Sequence, residues 1–128
     1  MGSGRMKNLK LYSTPKALIF FIASIAVGDK KSITIDVNGN LYSTGTFRNT
    51  VDFDPGTGTA NLSAVAGEDI FVQKLDSNGN FLWVAQMGGA SQESGNSISV
   101  DGNGNIYTTG NFSGTVDFDP TTGTANLT

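Results

Sequence analysis

The sequence predicts an all-β fold of tandem antiparallel four-stranded units, blade-like and about one and a half in number, behind an N-terminal apolar segment. Three observations carry this. Residues 39–63 (GNLYSTGTFRNTVDFDPGTGTANLS) laid over residues 104–128 (GNIYTTGNFSGTVDFDPTTGTANLT) give 18 identities in 25 positions at a constant offset of 65. Short alternating apolar runs are joined by Asn-Gly turns, the pattern of antiparallel hairpins. Beyond residue 26 no stretch has a helical period. A fixed period means one supersecondary unit copied in tandem, which hides its apolar face by stacking on a neighbour.

In chain order, Met1 to Arg5 (MGSGR) reads as a leader with no part in the fold. A basic stretch from Met6 to Lys16 then leads into the apolar run Ala17 to Ala26 (ALIFFIASIA), which closes on small residues at Ser24-Ile25-Ala26. That is the order of a secretory signal, with cleavage expected after Ala26. The run is about half the length that crosses a bilayer as a helix, which speaks against a permanent anchor. A competing reading makes Ala17 to Val27 a buried strand of the first repeat. The basic flank, which holds Arg5, Lys7, Lys10 and Lys16 and no acid, favours the signal.

The body divides into a partial first repeat at 27–63 and a complete second repeat at 64–128. The offset of 65 also carries Ser32-Ile33-Thr34-Ile35-Asp36 onto Ser97-Ile98-Ser99-Val100-Asp101. Asp69 to Leu75 (DIFVQKL) sets Ile70 and Val72 against Phe71 and Leu75, and Asn78-Gly79 turns it into Phe81 to Met87 (FLWVAQM). After a polar loop, Asn96 to Val100 and Ile106 to Phe112 form a second hairpin. The two hairpins together are expected to make the four-stranded unit. Thr115 to Thr128 breaks at Pro120 and reads as a third, shorter hairpin, because proline cannot donate to a ladder.

Composition removes whole classes of chemistry. With no His and no Cys among 128 residues, there is no Ser-His-Asp or Cys-His machinery, no zinc knuckle and no disulfide. Any metal must be a hard cation held by oxygens. Residues 27–128 hold four bases (Lys30, Lys31, Arg48, Lys74) against all eleven acids, 4 − 11 = −7. That balance repels phosphate backbones and argues against nucleic acid as a partner.

The wording DIFVQKLDSNGNFLWVAQMGG, followed by GNSISVDGNGNIYTTG and GTVDFDPTTGTANLT, resembles the bacterial β-propeller repeats known as SBBP, over about residues 30–128. The matches that carry the resemblance are Asp69-Ile70-Phe71-Val72 with Lys74-Leu75, Asn80-Phe81-Leu82-Trp83, and Ser97-Ile98-Ser99-Val100-Asp101 with Gly104-Asn105-Ile106-Tyr107. The resemblance implies a propeller blade in a secreted or cell-surface protein that binds or scaffolds, with no catalytic residues to carry over. A propeller closes on roughly four to eight blades. The expected partners are therefore further copies of the repeat, as neighbouring blades or a homo-oligomer, with a protein or glycan ligand at the loops.

Three loops share the pattern Asp-x-Asn-Gly-Asn, at Asp36, Asp76 and Asp101. Alternating oxygens around a glycine are a feature of calcium loops, but each has one carboxylate and no closing Glu. A hairpin turn with positive φ at both Asn and Gly is the plainer expectation. The pairs Asp52 with Asp54 and Asp117 with Asp119, in the repeated motif Asp-Phe-Asp-Pro, fall by alternation on one strand face about 6 to 7 Å apart. They are the candidate calcium ligands, and a carboxylate-based hydrolase is the remote alternative. A feature copied in each unit serves the fold or a repeated contact more readily than a reaction centre. No organic cofactor is expected. Trp83 with Phe81 offers a platform for a sugar ring, although a tryptophan on an apolar strand is usually core. Asn111-Phe112-Ser113 and Asn126-Leu127-Thr128 fit the glycosylation acceptor pattern.

Overall fold

A computed structural model describes residues 32–128 in full and, before them, the backbone of Gly4–Arg5, Lys7–Lys10 and Leu18–Phe21. The strands in chain order are β1 (Gly4–Arg5), β2 (Lys7–Lys10), β3 (Leu18–Phe21), β4 (Ser32–Ile35), β5 (Leu41–Phe47), β6 (Thr50–Asp52), β7 (Asn61–Ser63), β8 (Asp69–Leu75), β9 (Phe81–Gly89), β10 (Ser94–Val100), β11 (Ile106–Asn111), β12 (Val116–Asp117) and β13 (Asn126–Leu127). The described residues contain no helix, as the alternation predicts. β2 pairs with β3 and β1 lies parallel to β6. The rest of the expected signal, including its cleavage point after Ala26, lies outside the described residues.

The largest sheet runs β13-β12-β9-β8-β5-β4, while β10 and β11 form a separate two-stranded sheet. Its heart is the antiparallel meander β4-β5-β8-β9, a four-stranded blade spanning Ser32 to Gly89. This corrects one expectation. The hairpin β8-β9 adds to β5 and not to the hairpin that follows it. A 65-residue period has no origin in sequence, and hydrogen bonding supplies one here. Counted from Ser32, the chain holds one whole blade and the first two strands of the next. The partition expected at residue 64 cuts that blade between its second and third strands.

The two faces of the blade bury different clusters. On one, Phe47, Val51, Phe53 and Phe71 pack with Phe81, Val84 and Leu62. Here the short hairpin β6-β7 folds down as a cover. Its fit is fixed by Gln73, fully buried, which donates from Nε2 to the Phe53 carbonyl and accepts from the Ser43 hydroxyl at 3.3 Å. On the other face, Tyr42 and Val72, with Trp83 and Met87 beside them, meet Ile98, Val100 and Ile106 of the next unit.

Phe81 and Trp83 therefore lie on opposite faces, although alternation expects residues two apart to share one. A β-bulge explains this: Lys74 pairs with Trp83 while Leu75 pairs with Phe81, so Leu82 is the extra residue that flips the pattern. A single platform of Phe81 and Trp83 for a sugar ring is thereby excluded.

Candidate functional site

The three Asp-x-Asn-Gly-Asn loops adopt one geometry. In the first, Asp36 Oδ1 accepts from the amides of Asn38 and Asn40, both at 2.9 Å, and Oδ2 accepts from Asn40 Nδ2 at 2.8 Å. Asp76 and Asp101 repeat these contacts. The tyrosine hydroxyl six residues on also donates to Asp36 and Asp101. Positive φ occurs at Gly39, Gly79 and Gly104 (83°, 85° and 84°) and not at the preceding asparagines. The loop is thus a tight turn followed by a left-handed glycine, closed by the Gly39 amide donating to the Asp36 carbonyl. The expected positive φ at both residues is thus met at the glycine alone. The side-chain bond from Asn40 is the first cause that holds the Asp36 carboxyl down at about 2, and the same bonds lower Asp76 and Asp101. These carboxylates staple turns.

Asp52, Asp54, Asp117 and Asp119 lie at the closed ends of the cover hairpins. Strand β6 ends at Asp52, so the expected placement of both carboxylates on one strand face does not extend to Asp54. Asp52 Oδ1 accepts from the amides of Asp54 (3.0 Å) and Ala60 (2.9 Å), and Asp117 does the same with Asp119 (3.0 Å) and Ala125 (2.8 Å). Asp54 caps the Gly56 amide, and Asp119 the amide and hydroxyl of Thr121, the hydroxyl bond being the first cause that lowers its carboxyl. Among the described residues no three acids gather in one place, so a calcium ion here would have one or two carboxylates to draw on.

The larger constellation is the meeting of the two units. Gly95 lets β10 approach β5: a Cβ there would sit 2.4 Å from Thr44 Oγ1 and 3.0 Å from Ile70 Cγ2. Across this contact Thr46 donates to the Ser94 hydroxyl at 3.2 Å, and the Ile98 amide to the Ser32 hydroxyl at 3.4 Å. Trp83 stands edge-on to Tyr42 with centroids 6.3 Å apart, and Lys74 Nζ lies 4.9 Å over the Tyr42 ring. The repeat makes this contact readable twice. Ile98 and Val100 of the second unit correspond to Ile33 and Ile35 of the first. Ile98 is 6% exposed against Tyr42 and Val72, whereas Ile33 and Ile35 are 49% and 61% exposed. At the other end Tyr42 is 2% exposed, and its counterpart Tyr107 is 57% exposed. One end of the pair presents a bare incoming face and the other a bare outgoing face.

Two buried acids escape sequence reasoning. Asp69 is fully buried, with Oδ2 accepting from the Val65 amide (3.0 Å) and Gln86 Nε2 (2.6 Å). Glu93 is buried in the polar loop before β10, where Oε2 accepts from the Gly89 amide at 3.2 Å. The other oxygen of each has no hydrogen-bond partner. Burial, then the charge of Asp69, push the Glu93 carboxyl above its ordinary 4.5. Asp69 could have been noticed as the one charge opening an apolar strand; nothing in the polar run around Glu93 marks it.

A group whose folded value is raised stabilises the fold below its unfolded value, and that contribution is lost as pH rises through the folded one. Glu93→Gln is therefore expected to raise the melting temperature at neutral pH and flatten its decline as pH rises past the ordinary glutamate value. Thermal melts across pH check it, and an unchanged slope would contradict the assignment.

Comparison with known proteins follows the same lines. Residues 82–111 match the SBBP β-propeller repeat family. Over 116 residues, covering 78% of this chain and 8% of the relative, the chain is 30% identical to an uncharacterized WD repeat-containing protein, L264, of Acanthamoeba polyphaga mimivirus. The chain thus spans about a twelfth of the length of that relative. No solved structure matches.

Proposed function

We propose that this chain, whose residues 82–111 form a β-propeller repeat of the SBBP type, is an exported, non-enzymatic module that scaffolds or binds through stacked blades. The observation that carries the reading is the incoming face seen in two states. Ile98 and Val100 are packed on Tyr42, Val72 and Trp83 of the preceding unit, while their equivalents Ile33 and Ile35 stand in solvent. A surface that is core in one copy and bare in the next belongs to a unit made to be repeated. The tight turns and cover hairpins then project as loops from a rigid sheet, the usual position for contacts with a protein or glycan. Among the described residues no cluster of three acids gathers, and the aspartates of the repeated loops staple turns.

Repeat number provides the test. Appending one further copy of residues 64–128 after Thr128 is expected to raise the melting temperature, because each added unit contributes an interface as well as itself. An unchanged melt would overturn the reading. Export rests on the basic-then-apolar order of residues 6–26. It is checked by mass spectrometry of the protein recovered outside the cell, expected to begin at Val27; full-length chain confined to the cytoplasm would contradict it.

A further inference from the structure

Two carboxylates are shut inside the protein with half of their acceptor capacity unmet. Asp69, which opens β8, is fully buried, and Glu93, in the segment between β9 and β10, is 1% exposed. Each commits one oxygen to the protein: Asp69 Oδ2 accepts from the Val65 amide and Gln86 Nε2, and Glu93 Oε2 accepts from the Gly89 amide. The other oxygens, Asp69 Oδ1 and Glu93 Oε1, accept from no donor.

The two acids meet at consecutive residues of β9. Asp69 lies against Gly88, where a Cβ would fall 2.1 Å from its carboxyl carbon, and Glu93 takes the amide of the next residue. Glycine thus makes the room that seats one acid near the other, and the charge of Asp69 is felt at Glu93. The main chain holds Glu93 in place, since its amide donates to the Glu68 carbonyl at 2.9 Å. Buried charge is tolerated when it is paired or bound to a cation. Among the described residues the two basic side chains are engaged elsewhere: Arg48 Nε donates to Glu68 at 2.7 Å, and Lys74 lies over the Tyr42 ring.

We propose that Asp69 and Glu93 bind a calcium ion, with Asp69 Oδ1 and Glu93 Oε1 as its two carboxylate ligands. Two carboxylates match the charge of a divalent cation, and main-chain carbonyls and water complete the shell. Such a mixed oxygen set suits calcium better than magnesium, which requires a near-ideal octahedron. With so few carboxylates the Kd is expected at about 10⁻⁴–10⁻³ M, the range of extracellular calcium modules. The ion ties the segment that enters the second unit to the head of β8. This site is separate from Asp52 and Asp54, whose carboxylates accept from amides of their own loop. Its residues lie within 65–93, so it does not depend on the scaffold reading.

The test is thermal unfolding of the full chain, stripped with EDTA and then titrated with calcium chloride or with magnesium chloride at matched ionic strength. The melting temperature is expected to climb with calcium once its concentration passes the Kd, and to climb less with magnesium. Glu93→Gln keeps an oxygen for the Gly89 amide and removes one buried charge. It is expected to melt above the parent chain in EDTA and to lose the calcium response, whereas Asp54→Asn in the cover loop should retain that response. A calcium effect no larger than that of magnesium, one that persists in Glu93→Gln, or one lost in Asp54→Asn would each overturn the proposal. So would a melt that calcium leaves unmoved while it falls with rising pH, because the pair would then take up a proton in place of a metal.

Discussion

Replacing Ile98 with aspartate is expected to destabilise the chain by about 3–5 kcal/mol, whereas the same change at Ile33 should stay within about 0.5 kcal/mol. The two residues occupy the same place in the repeat and differ in what lies against them. Ile98 sits in the cluster of Tyr42 and Val72, with Trp83 and Met87 alongside. An aspartate there loses the apolar contact and also carries a carboxylate into an apolar cluster. Ile33 faces solvent on the edge strand, so a carboxylate there remains hydrated. Urea midpoints followed by the fluorescence of Trp83, whose ring borders the cluster, measure both. Equal losses at the two positions would mean that the inter-unit contact contributes nothing.

The second large effect is expected at the cover hairpin. Phe53→Ala should cost about 3–5 kcal/mol, as is usual when a buried aromatic is truncated in a packed core. Phe53 is fully buried between Phe47 and Phe71, and its carbonyl holds the buried amide of Gln73. Losing the ring opens a cavity and loosens the hairpin that satisfies Gln73, so both effects act together. Phe118→Ala removes the same residue from the second copy, where one ring of the cluster is absent, and should cost clearly less. Thermal unfolding of the pair decides the matter, and a Phe118 loss as large as that at Phe53 would show that the second unit is already closed by other contacts.

Much of this was legible in the residues. The offset of 65, the alternation of Ile70, Phe71, Val72 and Leu75, and the turns at Asn38-Gly39, Asn78-Gly79 and Asn103-Gly104 gave the strands and the resemblance to propeller repeats. Strand order was harder, because adjacent hairpins can pair either way. The choice depends on β5 meeting β8 across the β6-β7 insertion, a contact between residues about thirty apart. The bulge at Leu82 was hidden too, since nothing local in FLWVAQM marks one residue as supernumerary. For Asp52 and Asp117, alternation offered a place on a strand face and did not show where their carboxylates turn. Each carboxylate bends back to amides of its own loop, at Ala60 and Ala125, and that follows from the close of the hairpin, not from strand period.

The cover hairpin has a geometric effect that reaches past one blade. Strand β10 lies directly on β4 and β5, while β12 of the second unit's own cover pairs with the outer strand β9 at Gly88 and Gly89. At the other margin the second unit's cover carries on the first unit's ladder beyond β9. The two units are thereby tied twice, by side-chain packing where β10 crosses β4 and β5 and by main-chain hydrogen bonds where β12 joins β9. Sliding or twisting one unit on the other would break a ladder as well as an apolar contact, so the pair is held in register and not merely in touch.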